Sequence, residues 1–168
     1  MTKPADFDPK LDLYFERIVD VPPRLVWMAW TTPKHLLPWF CPKPWTTVEC
    51  KIDLRPGGLF YTVMRTPEGK DMPPNVGCYL ETIENKRLSW TNALLPDFRP
   101  AAKIEDGCLD LPFTGIIMME PHERGTKYAA MAKHRDDAGR KTHADMGFEE
   151  GWGTCLTQLV EYVKTTKL

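Results

Sequence analysis

The sequence predicts an α+β fold in which one long C-terminal helix packs on an antiparallel sheet. Three observations carry that expectation. Apolar residues alternate with a period of two through much of 45–134, the chain ends on an apolar stripe of helical spacing, and only two short helical segments precede the strand-rich part. A run of strands followed by a helix places the helix on one face of the sheet.

Residues 1–10 read as a loose polar leader and 11–168 as a single domain. "LDLYFERIVDV" alternates from Leu11 through Leu13 and Phe15, as a strand does. "PPRLVWMAWTTP" opens on two prolines and repeats Leu25, Val26, Ala29 and Trp30 at helical spacing. Pro33 ends it, and "PKHLLPWF" forms a second short helix. In "WTTVECKIDL" the period is two, with Val48, Cys50 and Ile52 on one face. "RPGG" turns the chain into "LFYTVMRT". "NVGCYLETIE" and "RLSWTNAL" make a second pair about "NK", and "FTGIIMMEP" and "TKYAAMAKH" a third about "HERG". Residues 95–112 carry no period and are long for a connection, which marks a functional segment such as a lid. The closing helix begins within 136–146, and Phe148, Trp152, Cys155 or Leu156, Leu159 and Val163 line one face.

Composition narrows the function classes. A net charge of −1 with no basic run argues against nucleic-acid binding, and no segment approaches the ~20 apolar residues of a membrane span. The polar start lacks the apolar core of a secretory signal, so a cytoplasmic location is expected. Five cysteines without a CxxC pair exclude a disulfide framework or thiolate metal centre, and no metal or cofactor is expected. Neither a GxSxG elbow nor a Walker or dinucleotide pattern is present, and Ser89 is the single serine. Cys41 and Cys108 sit in loops with no histidine partner beside them.

Five stretches, "FERIVDVPPRLVWMAWTTPKHLLPWF", "LRPGGLF", "GCYLETIENKRLSWT", "GTKYAAMAKH" and "MGFEEGWGTCLTQLVEYV", occur in the order seen in the START-like (SRPBCC) superfamily. Over roughly residues 11–165 the chain resembles its Hsp90-ATPase-activator-like (AHSA1-type) branch. The resemblance implies a helix-grip fold: a bent antiparallel sheet of about six or seven strands wraps the long helix and leaves a cavity between them. It also implies apolar or amphipathic ligands in that cavity, with some relatives working as cyclases or dehydratases. The eukaryotic Hsp90 activator carries an additional N-terminal domain, whereas about ten residues precede the first strand here.

Large, soft side chains supply the candidate lining: Trp39, Phe40, Tyr61, Met64, Tyr79, Trp90, Phe113, Met119, Met131, Met146, Phe148 and Trp152. Core packing accounts for many of them, but eight methionines beside six tryptophans suit an adaptable ligand site. Strand parity adds Asn92 to the face of Leu88 and Trp90, where a buried amide needs a partner. Gly147 and Gly151 are expected to share a helical face beside Phe148 and Trp152. There Gly151 leaves either room for the sheet or empty volume for a ligand. Candidate acid/base groups are Glu81, which parity places with Gly77 and Tyr79, and His134 and His143, which could meet at the cavity mouth. The expected partner is a small apolar or amphipathic molecule, with a homodimer compatible with exposed aromatics. The rival readings are a cavity enzyme of acid/base type and a chaperone-interacting protein.

Overall fold

A computed structural model describes residues 3–102 and 111–168. Strand β1 (Asp12–Val19) leads into helices α1 (Pro23–Thr31) and α2 (Pro33–Leu36). Proline opens both helices, where its missing N–H costs no intrahelical bond. Pro33 also terminates α1, because the residue before a proline avoids helical angles; Thr32 is extended at φ −115° and ψ 118°.

Six further strands complete the main sheet: β2 (Thr46–Ile52), β3 (Leu59–Arg65), β4 (Asn75–Ile83), β5 (Arg87–Thr91), β8 (Phe113–His122) and β9 (Gly125–His134). A separate two-stranded ribbon joins β6 (Leu94–Leu95) to β7 (Arg99–Pro100). The order across the main sheet is β1-β9-β8-β5-β4-β3-β2, every pair antiparallel. The first strand thus lies beside the last, and α1 and α2 carry the chain from one edge to the other. The ribbon occupies the start of the aperiodic segment. Residues 103–110, with Cys108 and the centre of the expected lid, lie outside the described residues.

Two bulges bend the sheet. Pairing passes from Thr47 to Glu49 in β2, and from Tyr79 to Glu81 in β4, while the partner strand advances one residue. The extra residues, Val48 and Leu80, sharpen the twist that curls the sheet about its helix. This is the helix-grip arrangement.

The closing helical region differs from the single helix expected. It consists of α3 (Asp137–Asp145) and α4 (Phe148–Thr166). The Asp136 carboxylate caps α3 by accepting from the Gly139 N–H at 2.8 Å. The break falls at Gly147, whose φ of 84° lies in the left-handed region that a side chain disfavours. Gly147 ends one helix and caps the next, so it does not share a helical face with Gly151. Along α4, Phe148, Leu156, Leu159 and Val163 are buried against Phe15, Leu88, Ile117, Tyr128 and Ala130 of the concave sheet face. Each such aliphatic or aromatic side chain contributes roughly 1.5–3 kcal/mol through burial. Gly153 is the close-approach glycine of this helix. A Cβ there would lie 2.5 Å from the Arg17 guanidinium, whose Nη1 donates to the Gly153 carbonyl at 3.2 Å.

Candidate functional site

Between the concave face and the start of α4 lies a cavity of about 280 Å³. Phe60, Thr62 and Met64 of β3 and Asn75, Val76 and Gly77 of β4 form one wall. Trp90, Phe113 and Tyr128 come from β5, β8 and β9. Phe148, Gly151, Trp152, Cys155 and Leu156 of α4 face them, and Trp30, Trp39, Phe40 and His143 close the remaining sides. No charged side chain lines it among the described residues. The rings interlock: Trp30 packs on Trp39 at 4.9 Å and on Trp90 at 5.4 Å, and Trp90 stacks on Trp152 at 6.2 Å. Trp90 is seated because Gly115 opposite it has no side chain; a Cβ there would meet the indole at 2.6 Å. A second depression of about 330 Å³ lies outside the core between β1 and α4, rimmed by Arg17, Asp20, Arg124 and Glu161. Its charged rim and lack of aromatic rings make the interior cavity the better candidate.

Ten of the fourteen residues expected to line a site bound the cavity: Trp39, Phe40, Met64, Trp90, Asn92, Phe113, Met146, Phe148, Gly151 and Trp152. Met146 sits at the rim, where it is exposed. Tyr79 is fully buried beneath Phe60, stacked on it at 5.3 Å, and does not reach the wall. Its hydroxyl has no partner among the described residues, and burial raises its pKa well above the ordinary value. Met119 is likewise buried deeper than the cavity. Tyr61 and Met131 are on the wrong side of their strands. Tyr61 alternates with the lining residues Phe60 and Thr62 and lies against Lys51 and Glu49. Met131 alternates with the core residues Ala130 and Ala132. Parity on β3 points to Phe60 and Thr62 in place of Tyr61. Trp30 and Tyr128, also unanticipated, had only their helical and strand spacing to mark them.

Glu81 stands away from the cavity, paired with Arg87 at 2.6 Å and substantially solvated. The bulge at Leu80 is the reason: it breaks the alternation from Tyr79, so Glu81 pairs with Ser89 on the other face from Trp90. Asn92 finds protein partners. Its amide nitrogen donates to the Leu111 carbonyl at 3.0 Å, and its oxygen accepts from the Phe113 N–H at 2.9 Å. It therefore clamps the end of β5 to the start of β8 while still bordering the cavity. Cys155 lies in the wall with its thiol pushed up to about 12 by burial, so it stays protonated and weakly nucleophilic.

The two histidines do come together. His134 ends β9, the Asp136 cap starts α3 two residues later, and α3 carries His143 back over the strand end. His134 Nε2 and His143 Nδ1 lie 2.9 Å apart, both rings buried. His134 Nδ1 lies 2.9 Å from the Leu11 carbonyl oxygen. A carbonyl only accepts, so His134 Nδ1 carries a hydrogen. Burial lowers both pKa values, that of His143 to about 4 with His134 adding repulsion, so both rings are neutral near neutral pH. His134 Nε2 is then a bare acceptor, and His143 Nδ1–H donates to it. Phe113, Phe148 and Trp152 surround the His143 ring at centroid distances of 5.0, 5.2 and 6.3 Å.

This pair makes the fold acid-sensitive. A histidine held neutral by burial has a folded pKa below its unfolded value of 6.5, so the unfolded chain takes up protons first. The stabilisation is full above 6.5 and is lost as pH falls from there towards about 4. The loss is at most ~1.4 kcal/mol per pH unit for each ring. Urea unfolding at a series of pH values checks it. The depressed carboxylates, Asp71 and Asp136 among them, act only lower, near and below their unfolded value of 3.8. A flat stability between 6.5 and 4.5, taken roughly, overturns the neutral, buried pair.

Residues 20–164 match the family described as Activator of Hsp90 ATPase homolog 1-like protein. No curated protein matches. Among solved structures, a protein from Nitrosomonas europaea is similar at 47% identity and a TM-score of 0.88, covering 96% of this chain and 99% of that one. A Rhodobacter sphaeroides protein shares 21% identity at a TM-score of 0.77, over 93% and 94% of the two chains. An AHSA1-like protein from Aeromonas hydrophila shares 18% identity at a TM-score of 0.66, over 94% of each. The last two bear on the fold alone. No helix among the described residues is long and apolar enough to cross a membrane.

Proposed function

The chain belongs to the Activator of Hsp90 ATPase homolog 1-like family, and from that premise we propose that it is a binding protein for a small apolar or amphipathic molecule held between sheet and helix. The single observation that carries this reading is the aromatic cavity of about 280 Å³, uncharged among the described residues. Sites for small ligands run from ~300 Å³ upward, so the occupant is about the size of a two-ring or three-ring aromatic. An apolar wall with a few polar groups gains affinity from water exclusion and takes orientation from the polar groups. Polar side chains in that wall include Thr62, Asn75, Asn92, Tyr128 and His143, beside the indole N–H groups of Trp30 and Trp39.

The neutral fluorophore N-phenyl-1-naphthylamine tests the reading. It should bind one-to-one and saturably, with a dissociation constant on the order of 1–10 μM from ordinary ligand efficiency. Its emission should rise as it leaves water, with energy transfer from the tryptophans of the wall. A linear, unsaturable rise would overturn the proposal.

A further inference from the structure

Among the polar groups of the cavity wall, the His143 ring has its hydrogen placement fixed by the fold. His143 spends its Nδ1 hydrogen on His134, which is itself fixed by the Leu11 carbonyl. The remaining ring nitrogen, Nε2, therefore carries a lone pair and no hydrogen. His143 is 4% exposed and lines the cavity, and its Nδ1 is the ring nitrogen engaged by His134. We infer that His143 Nε2 is the hydrogen-bond acceptor of the binding site, and that the site selects neutral aromatic molecules bearing a hydroxyl or similar donor over aromatic ethers and carboxylates.

This rests on the proposed binding function and adds the ligand class to it. The logic is that of a locked tautomer. A free imidazole presents a donor or an acceptor by moving one proton, at little cost. Here the move is blocked, because shifting the hydrogen to His143 Nε2 would leave His134 Nε2 and His143 Nδ1 facing each other at 2.9 Å as two lone pairs. The chain from Leu11 through His134 to His143 thus dictates which partner fits. His134 is a positioning residue that fixes the tautomer, and His143 is the residue that touches the ligand. An ether oxygen placed there would face a lone pair with no hydrogen between. A carboxylate would meet the same repulsion, and no lysine or arginine lines the cavity among the described residues to offset its desolvation. Burial keeps the ring unprotonated well below neutral pH, which makes it an acceptor rather than an effective proton-abstracting base.

The test compares three probes of one shape: 2-naphthol, 2-methoxynaphthalene and 2-naphthoate, followed near neutral pH by tryptophan quenching and calorimetry. Expected is binding of 2-naphthol about tenfold tighter than 2-methoxynaphthalene, the usual scale for one hydrogen bond whose loss leaves a buried acceptor unpaired. 2-Naphthoate should bind weaker still. In His143→Phe the preference for the hydroxyl should disappear while both neutral probes still bind. Should that variant fold poorly, nitrogen NMR of the unmodified protein decides. His143 should show an Nδ1-protonated ring whose Nε2 resonance moves on adding 2-naphthol and stays put with 2-methoxynaphthalene. Equal affinity for the two neutral probes, tighter 2-naphthoate, or an Nε2-protonated His143 overturns the inference and leaves the binding function standing. Failure of every probe to bind overturns both.

Discussion

Gly151→Leu should bind N-phenyl-1-naphthylamine about 100-fold more weakly, or not measurably, and yet unfold at higher urea concentration than the parent. The two effects have separate origins. A Cβ at Gly151 would meet nothing within 4 Å, because the position opens on the cavity. A leucine there projects into vacant space, so no core atom has to move. The helix gains, since an interior glycine costs ~0.8–1 kcal/mol relative to alanine and leucine almost nothing. The ligand loses, because four added carbons take up a large share of a volume of about 280 Å³. Urea unfolding and probe titration on the same sample check both halves. A loss of stability beyond ~1 kcal/mol would mean the sheet packs where the cavity stands, as overpacking does. Unchanged affinity would place the ligand elsewhere.

Leu159→Ala should have the opposite profile, losing about 3 kcal/mol of stability, within the ~2–5 kcal/mol seen for buried leucines. Leu159 is fully buried on α4 within the core shared with β1, β8 and β9, and it does not line the cavity. Removing its branch deletes packing that holds helix to sheet and leaves a void among close-packed neighbours. The fraction still folded should bind the probe with an affinity within about threefold of the parent, since sites without shared partners act nearly independently. A stability change under ~1 kcal/mol would show that the helix–sheet core is loosely packed. The two variants together separate a wall that can be filled from a core that cannot be emptied.

Much of this was legible in the residues. Alternation located the strands of the main sheet, and the prolines at 22–23 and 33 placed the starts of α1 and α2 within a residue, although α2 ends at Leu36, four residues short of the stretch expected. Of the stripe Phe148, Trp152, Cys155 or Leu156, Leu159 and Val163, α4 buries Phe148, Leu156, Leu159 and Val163 and leaves Trp152 and Cys155 half-buried. What parity could not supply was its own interruption. A bulge adds one residue and reverses the side of every later residue, so Leu80 sent Glu81 outward against the simple count. Tyr61 shows a different failure: parity was available and chemistry alone, a large aromatic ring, suggested the wrong residue. Gly147 marked a break rather than a smooth surface, because a positive φ is a property of the backbone path and leaves no periodic trace.

By itself the sequence determined the α+β class, the order of the main-sheet strands and of the two short helices after the first of them, and the aromatic character of the interior. These follow from local alternation and helical spacing, which act over a few residues and need no distant partner. Only the tertiary structure decided which aromatic residues enclose a void, which glycine faces it, and how His134 and His143 share their protons. Those outcomes depend on strand pairing and on helix α3 folding back over the end of β9. A hydrogen on one ring nitrogen is fixed by a carbonyl at Leu11, more than 120 positions earlier in the chain, and no local pattern encodes a contact of that range.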